Sequence, residues 1–158
     1  MEEKKYAVLI DGDNISSKYL DSILNEMTKY GIATYKRIYC DFTSQQSSKW
    51  RRLVRDSGIQ AMQQFANTVG KNATDSTLII DAMDILYTGN VDGFCIVSSD
   101  GDFTRLAIRL KESGMDVIGM GESKTPRSFR AACTVFTDLE ILYEAESEDD
   151  EISTKGKK

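Results

Sequence analysis

The chain has 158 residues, enough for one domain around a single core, with 41% hydrophobic and 28% charged residues. It contains no histidine. That excludes Ser-His-Asp triads, Cys-His dyads and histidine-ligated zinc, and leaves catalysis to carboxylates, lysine, tyrosine, serine or a bound cofactor. The net charge of −5 is unevenly placed, because residues 144–158 hold six acidic residues against three lysines and the body is close to balance.

The elements read in chain order as follows. "YAVLI" (6–10) is a continuous apolar run, as in a strand buried on both faces. Apolar residues at 20, 23, 24 and 27 predict a helix between Ser16 and Tyr30, stopped by Gly31. "ATYKRIYC" (33–40) alternates like a strand, "SSKWRRLVRDSG" (47–58) reads as a basic helix, and "IQAMQQF" (59–65) as a third strand. A polar loop over 66–73 precedes a strong helix over 74–88. Then come a strand (93–99), a helix (103–114), a strand (115–121), a turn at Pro126, a short helix (127–132), the strand-like "TVFT" (134–137) and a last short helix, "DLEILYEA". Residues 144–158, acidic and then lysine-rich, predict a disordered tail or linker after a domain over 1–143.

Strands alternating with helices imply parallel βαβ units, right-handed crossovers and a three-layer α/β/α sandwich. No apolar span and no basic-then-apolar leader occurs, which argues against membrane insertion and secretion. Cys40, Cys95 and Cys133 are widely spaced, odd in number and set in apolar runs. They predict reduced, buried thiols and a cytoplasmic protein.

The chemistry-bearing stretches are acidic. "LIDGDN" (9–14) ends the first strand on Asp11 and Asp13, and "SSDGDF" (98–103) ends the fourth on Asp100 and Asp102. In open parallel sheets ligands bind beyond the carboxyl ends of the strands, where strand order reverses. If the first and fourth strands are neighbours, the two loops lie side by side. Asp75 stands in the first turn of the helix over 74–88, in line with Ile79, Ala82 and Leu86 on its sheet-facing side. Asp84 points away and Asp81 lies on the flank. Each aspartate alone is also what a turn or helix N-cap uses. Together they favour oxygen-only ligation of a hard cation such as Mg²⁺ or Mn²⁺. An EF-hand loop is excluded, since Ser16 and Ser22 stand where its glycine and glutamate belong.

"LIDGDN", "GKNATDSTLIIDAMDILY" and "FCIVSSDGDF", in this order and spacing, resemble the NYN domain, the LabA-like branch of the PIN-like nucleases, over roughly residues 5–142. The resemblance implies strand order 3-2-1-4-5 and a Mg²⁺- or Mn²⁺-dependent endonuclease, usually acting on RNA. It implies metal-holding acids at Asp11, Asp75, Asp100 and Asp102, with Asn14 orienting the first; Asp13 ranks lower. The longer "NAT" spacing between Lys71 and Asp75 resembles a subgroup that often carries a LOTUS-type helical module after the domain, and PIN-like domains often form homodimers. Metal-assisted phosphodiester hydrolysis then offers phosphate-contact roles to Lys71, Ser98, Ser99, Lys124, Arg127 and Arg130. Trp50 among Lys49, Arg51, Arg52 and Arg55 offers a base-stacking face, or else a solvated helix side. Two other readings remain: a PIN-like module that binds RNA or docks proteins without turnover, and a haloacid-dehalogenase-like phosphatase, whose DxD nucleophile motif "DGDN" imitates.

Overall fold

The first strand, β1 (Lys5–Asp11), is apolar from Tyr6 to Ile10 because both of its faces are covered. The computed structural model describes residues 3–64 and 73–155, with side chains over 77–149 in the second stretch. After β1 come α1 (Leu20–Met27), β2 (Ile32–Cys40), α2 (Ser48–Ser57), β3 (Gln60–Gln63), α3 (Ala73–Thr88), β4 (Gly93–Val97), α4 (Thr104–Glu112), β5 (Asp116–Gly121), α5 (Arg127–Ala132), β6 (Val135–Asp138) and α6 (Leu139–Lys155). The described strands form one sheet in the order β3-β2-β1-β4-β5-β6, every pair parallel. The expected order 3-2-1-4-5 is present, and β6 extends it at the β5 edge.

Strand alternation divides the core. Tyr6, Val8 and Ile10 pack with Ile23, Met27, Trp50 and Leu139, so α1, α2 and α6 cover one face. Ala7 and Leu9 pack with Leu78, Ala82, Ile85, Phe103, Leu106 and Phe129, so α3, α4 and α5 cover the other. Asp11 continues the series Ala7, Leu9 and so falls on the α3 side, as does Ser98 after Phe94 and Ile96. A crossover helix runs back against its strands, so α3 starts at the carboxyl edge of the sheet, where β1 and β4 end. All three cysteines are free and buried, and burial pushes the Cys40 and Cys133 thiols up to about 12.

Several boundaries differ from expectation. The turns before α1, α2 and α4 are 3₁₀ segments (Ser17–Tyr19, Gln45–Ser47 and Gly101–Phe103), because the chain tightens where it leaves a strand end. The last helix continues past Ala145 to Lys155. Glutamates are good helix formers, and the Ser22 hydroxyl donates to Glu146 Oε2 at 2.6 Å, carrying the α1–α6 contact beyond the apolar stripe of Leu139, Leu142 and Tyr143. Among the described residues no helix is long and apolar enough to cross a membrane.

The orientation of α3 is set by a polar anchor. Asp81 Oδ2 accepts from the buried Tyr39 hydroxyl at 2.7 Å and from Arg37 Nη1 at 3.1 Å, both on β2. Burial and the adjacent Asp81 carboxylate raise the Tyr39 pKa well above the usual phenol range, so this hydroxyl stays a donor. Asp81→Ala leaves a buried hydroxyl and a guanidinium without their acceptor, and is expected to lower stability by about 2 kcal/mol in urea unfolding. The exposed Asp84 is the control, with an expected change under about 0.5 kcal/mol on replacement by Ala.

Candidate functional site

Asp11 closes β1, in register with Tyr39 of β2, and its side chain is fully buried. Its Oδ2 accepts from the Asn14 side-chain amide at 2.9 Å and from the Ser98 hydroxyl at 2.8 Å. Its Oδ1 is buried with no hydrogen-bond partner. Among the described residues no lysine or arginine forms an ion pair with it. Burial pushes the carboxyl from 3.8 up to about 6; the bonds from Asn14 and Ser98 pull it down, while the Asp13 and Asp100 carboxylates push it up. A buried acceptor left unmet costs ~1–3 kcal/mol, so Oδ1 is the oxygen of this carboxylate that lacks a compensating partner within the described chain.

The second acidic loop reaches the first through Ser98. The Asp100 backbone N–H donates to Ser98 Oγ at 3.0 Å, and that hydroxyl in turn donates to Asp11. Asp100 also caps the following 3₁₀ turn, its Oδ1 accepting from the Asp102 N–H at 2.9 Å, with Asp102 exposed in the turn above buried Phe103. The ends of β1 and β4 thus form one hydrogen-bonded unit that brings Asp11, Asn14, Ser98 and Asp100 together. Asp75 lies in the first turn of α3, and its side chain is outside the described residues, as is all of Lys71. Among the described residues no three acidic or cysteine side chains form a group that could hold a metal ion. Of the expected ligands, Asp11 and Asp100 bring carboxylate oxygens, the donor type that suits Mg²⁺ or Mn²⁺, while Asn14 turns its amide N–H onto Asp11.

A groove of about 600 Å³ meets this unit at Asn14 only; Asp11, Ser98 and Asp100 do not line it. Asp13, Asn14 and Ser16 line one side, Gln46, Ser48 and Lys49 another, and Lys124 reaches in from the loop after β5. Asp13 accepts from the Asp41 N–H at 3.2 Å, tying its loop to the end of β2. Arg127 is exposed at the start of α5.

Four residues have roles other than those expected of them. Ser98 is buried and donates its hydroxyl proton to Asp11, so in this structure it holds a carboxylate in place. Ser99 Oγ accepts from the Glu122 N–H at 2.9 Å and fixes the neighbouring loop. Arg130 folds back on that loop, donating to the carbonyls of Thr125 at 3.0 Å and Ser123 at 2.8 Å, with its guanidinium over Phe136. Trp50 is buried at 3% exposure, and its indole N–H is shared between the Gly12 and Ile15 carbonyls at 3.0 and 3.2 Å, so it offers no stacking face. The signal was present in the sequence: Trp50, Leu53 and Val54 stand at helical spacing, with the basic residues on the other side.

Gly12 is confined as well. A Cβ there would come within 2.8 Å of Ile38 Cγ1 and 3.1 Å of Cys40 Cβ, so only glycine lets the loop lie this close to β2.

The Asp11 environment makes stability depend on pH when no metal is bound. Its folded pKa is raised, so folding favours the protonated form; the associated stability is full below 3.8 and is lost as pH rises through about 6. A shift of roughly two units corresponds to about 3 kcal/mol. Asp11→Asn keeps an acceptor for Asn14 and Ser98 without the charge. In EDTA it is expected to resist urea better than wild type at neutral pH, with the gap closing as pH falls below the ordinary carboxylate range. A gap unchanged across that range would show that Asp11 does not carry the penalty.

The chain is 27% identical over 125 residues to an uncharacterized protein of Methanocaldococcus jannaschii; the match takes in 75% of this chain and 48% of that protein, so the chain spans about half the length of this relative. A crystal structure of a protein of unknown function from Vibrio parahaemolyticus superposes with a TM-score of 0.70 over 87% of this chain and 96% of that one, at 19% identity, and so shares the fold. The NYN domain model matches residues 5–140. NYN domains are generally nucleases, and PIN-like nuclease domains generally use divalent metals. With that match running from the first residue of β1 into α6, across both acidic strand ends, the chain belongs to the NYN domain family.

Proposed function

We propose that this chain is a metal-dependent endoribonuclease that hydrolyses phosphodiester bonds in single-stranded RNA. The observation that carries the reading is the orphaned Oδ1 of fully buried Asp11, at the point where strand order reverses and beside a second acidic strand end. Mg²⁺ or Mn²⁺ would be held by Asp11, Asp75, Asp100 and Asp102, and when bound it supplies a lowered pKa for a coordinated water and charge stabilisation on the phosphate. Asn14 and Ser98 hold the Asp11 carboxylate with its free oxygen turned from them. Lys124 and Lys49 border the groove as cationic contacts for the phosphate backbone, Arg127 stands exposed beyond them, and Lys71 joins this set from the sequence alone.

A phosphatase would need the Asp11 carboxylate to attack a phosphoryl group. Oδ2 of that carboxylate is already bound by two donors, and Asn14 stands where the phosphatase motif wants Thr or Val. A cytoplasmic location, self-association and a LOTUS-type neighbour belong to the same reading and rest on the sequence.

Asp100→Asn separates chemistry from folding, because asparagine preserves the cap on the Asp102 N–H while removing the charge. With Mn²⁺ and labelled single-stranded RNA, the variant is expected to lose cleavage by on the order of 100-fold while still binding the RNA. EDTA should abolish wild-type cleavage and Mn²⁺ should restore it. Cleavage unchanged in the variant would overturn the metal assignment, RNA binding without wild-type cleavage would make the domain a binding module, and phosphate release from small phosphomonoesters would favour the phosphatase.

A further inference from the structure

The loop that carries Asn14 is held from two directions. On the β2 side, the Gly12 N–H donates to the Tyr39 carbonyl at 2.9 Å. On the other side, Trp50 of α2 donates its one indole proton to the carbonyls of Gly12 and Ile15, which bracket the exposed pair Asp13 and Asn14. A buried tryptophan needs an acceptor for its N–H in any fold. What distinguishes this one is the choice of acceptors: both belong to the four residues after Asp11, and Trp50 itself borders the groove. The sharing of one proton between two carbonyls resists rotation of either peptide, so the turn between them keeps its shape although its tip is open to solvent.

From this geometry we infer that Trp50 is a positioning residue for the metal centre. Its N–H holds the Gly12–Ile15 turn so that the Asn14 amide stays on Asp11 Oδ2, leaving the other carboxylate oxygen as the one that would ligate a bound cation. The inference rests on the metal-dependent reading above and extends it to a residue on a different helix, whose indole N–H bonds only to backbone carbonyls. Partners that orient a ligand typically change metal affinity by about 10–100-fold when removed.

The test is Mn²⁺ binding to the full chain, read by the electron paramagnetic resonance signal of free Mn²⁺. Trp50→Phe keeps an aromatic ring in the core and deletes the donor. Leu110→Ala, a buried position on α4 across the sheet, controls for general loss of stability. The expected result is about a tenfold weaker Mn²⁺ affinity in Trp50→Phe, with Leu110→Ala within about twofold of wild type. Because Trp50 is the chain's single tryptophan, its emission in wild type should quench saturably with the same Mn²⁺ midpoint, and Asp11→Asn should remove that quench. Should Trp50→Phe not fold, 3-benzothienylalanine at position 50 keeps the bicyclic shape with sulfur in place of N–H, and the same loss of affinity is expected. Affinity equal to wild type in the N–H-less protein overturns the positioning role and leaves the metal reading standing. Wild type that takes up no Mn²⁺ through Asp11 overturns both.

Discussion

A carboxylate buried at the end of the central strand governs how the carboxyl edge of this sheet is built. Asp11 has water removed from it by the sheet and by α3, receives two hydrogen bonds on one oxygen and none on the other, and has two more aspartates close enough to repel it. Burial makes the charge of such a group costly, and neighbouring elements hold it in place: Asn14 from its own loop, Ser98 from β4, Gly12 packed on β2 and Trp50 beneath the turn.

The sheet topology explains why these residues meet. The chain winds outward from β1 in both directions, so β1 and β4 are neighbours although more than eighty residues separate their acidic ends. Alternation then decides the side. Ala7, Leu9 and Asp11 form one row, Phe94, Ile96 and Ser98 the next, and α3 covers both from its start at the same edge. The Asp81 contact with Tyr39 and Arg37 fixes α3 against β2, and through it the height at which the first turn of that helix, with Asp75, stands.

Much of the fold was legible because a strand covered on both faces must be apolar throughout and a crossover helix must be apolar on one side. "YAVLI" satisfies the first demand without reference to anything else in the chain, and the line Ile79, Ala82, Leu86 found the covered side of α3 to within a fraction of a turn, since Leu78, Ala82 and Ile85 are the buried set and Ile79 and Leu86 are half-buried. The acidic strand ends were legible for the converse reason, since carboxylates directly after a buried run need a purpose. The contacts of Ser98, Ser99 and Arg130 within the chain are not legible in sequence, because a polar side chain near a site has the same appearance there whether it faces a ligand or a neighbouring backbone. Trp50 lay among four basic residues, and charge hid a core position whose helical spacing was visible.

The sequence by itself determined the alternation of strands and helices, the identity of the acids and the absence of histidine, because local periodicity and composition are properties of the chain alone. Tertiary structure alone decided which oxygen of Asp11 is bound and which is left bare, that Ser98 links the two acidic loops, and that one indole proton holds the turn between them. Those are contacts between residues far apart in sequence. Their donors and acceptors become partners only when packing removes water and leaves other protein atoms as the groups within reach.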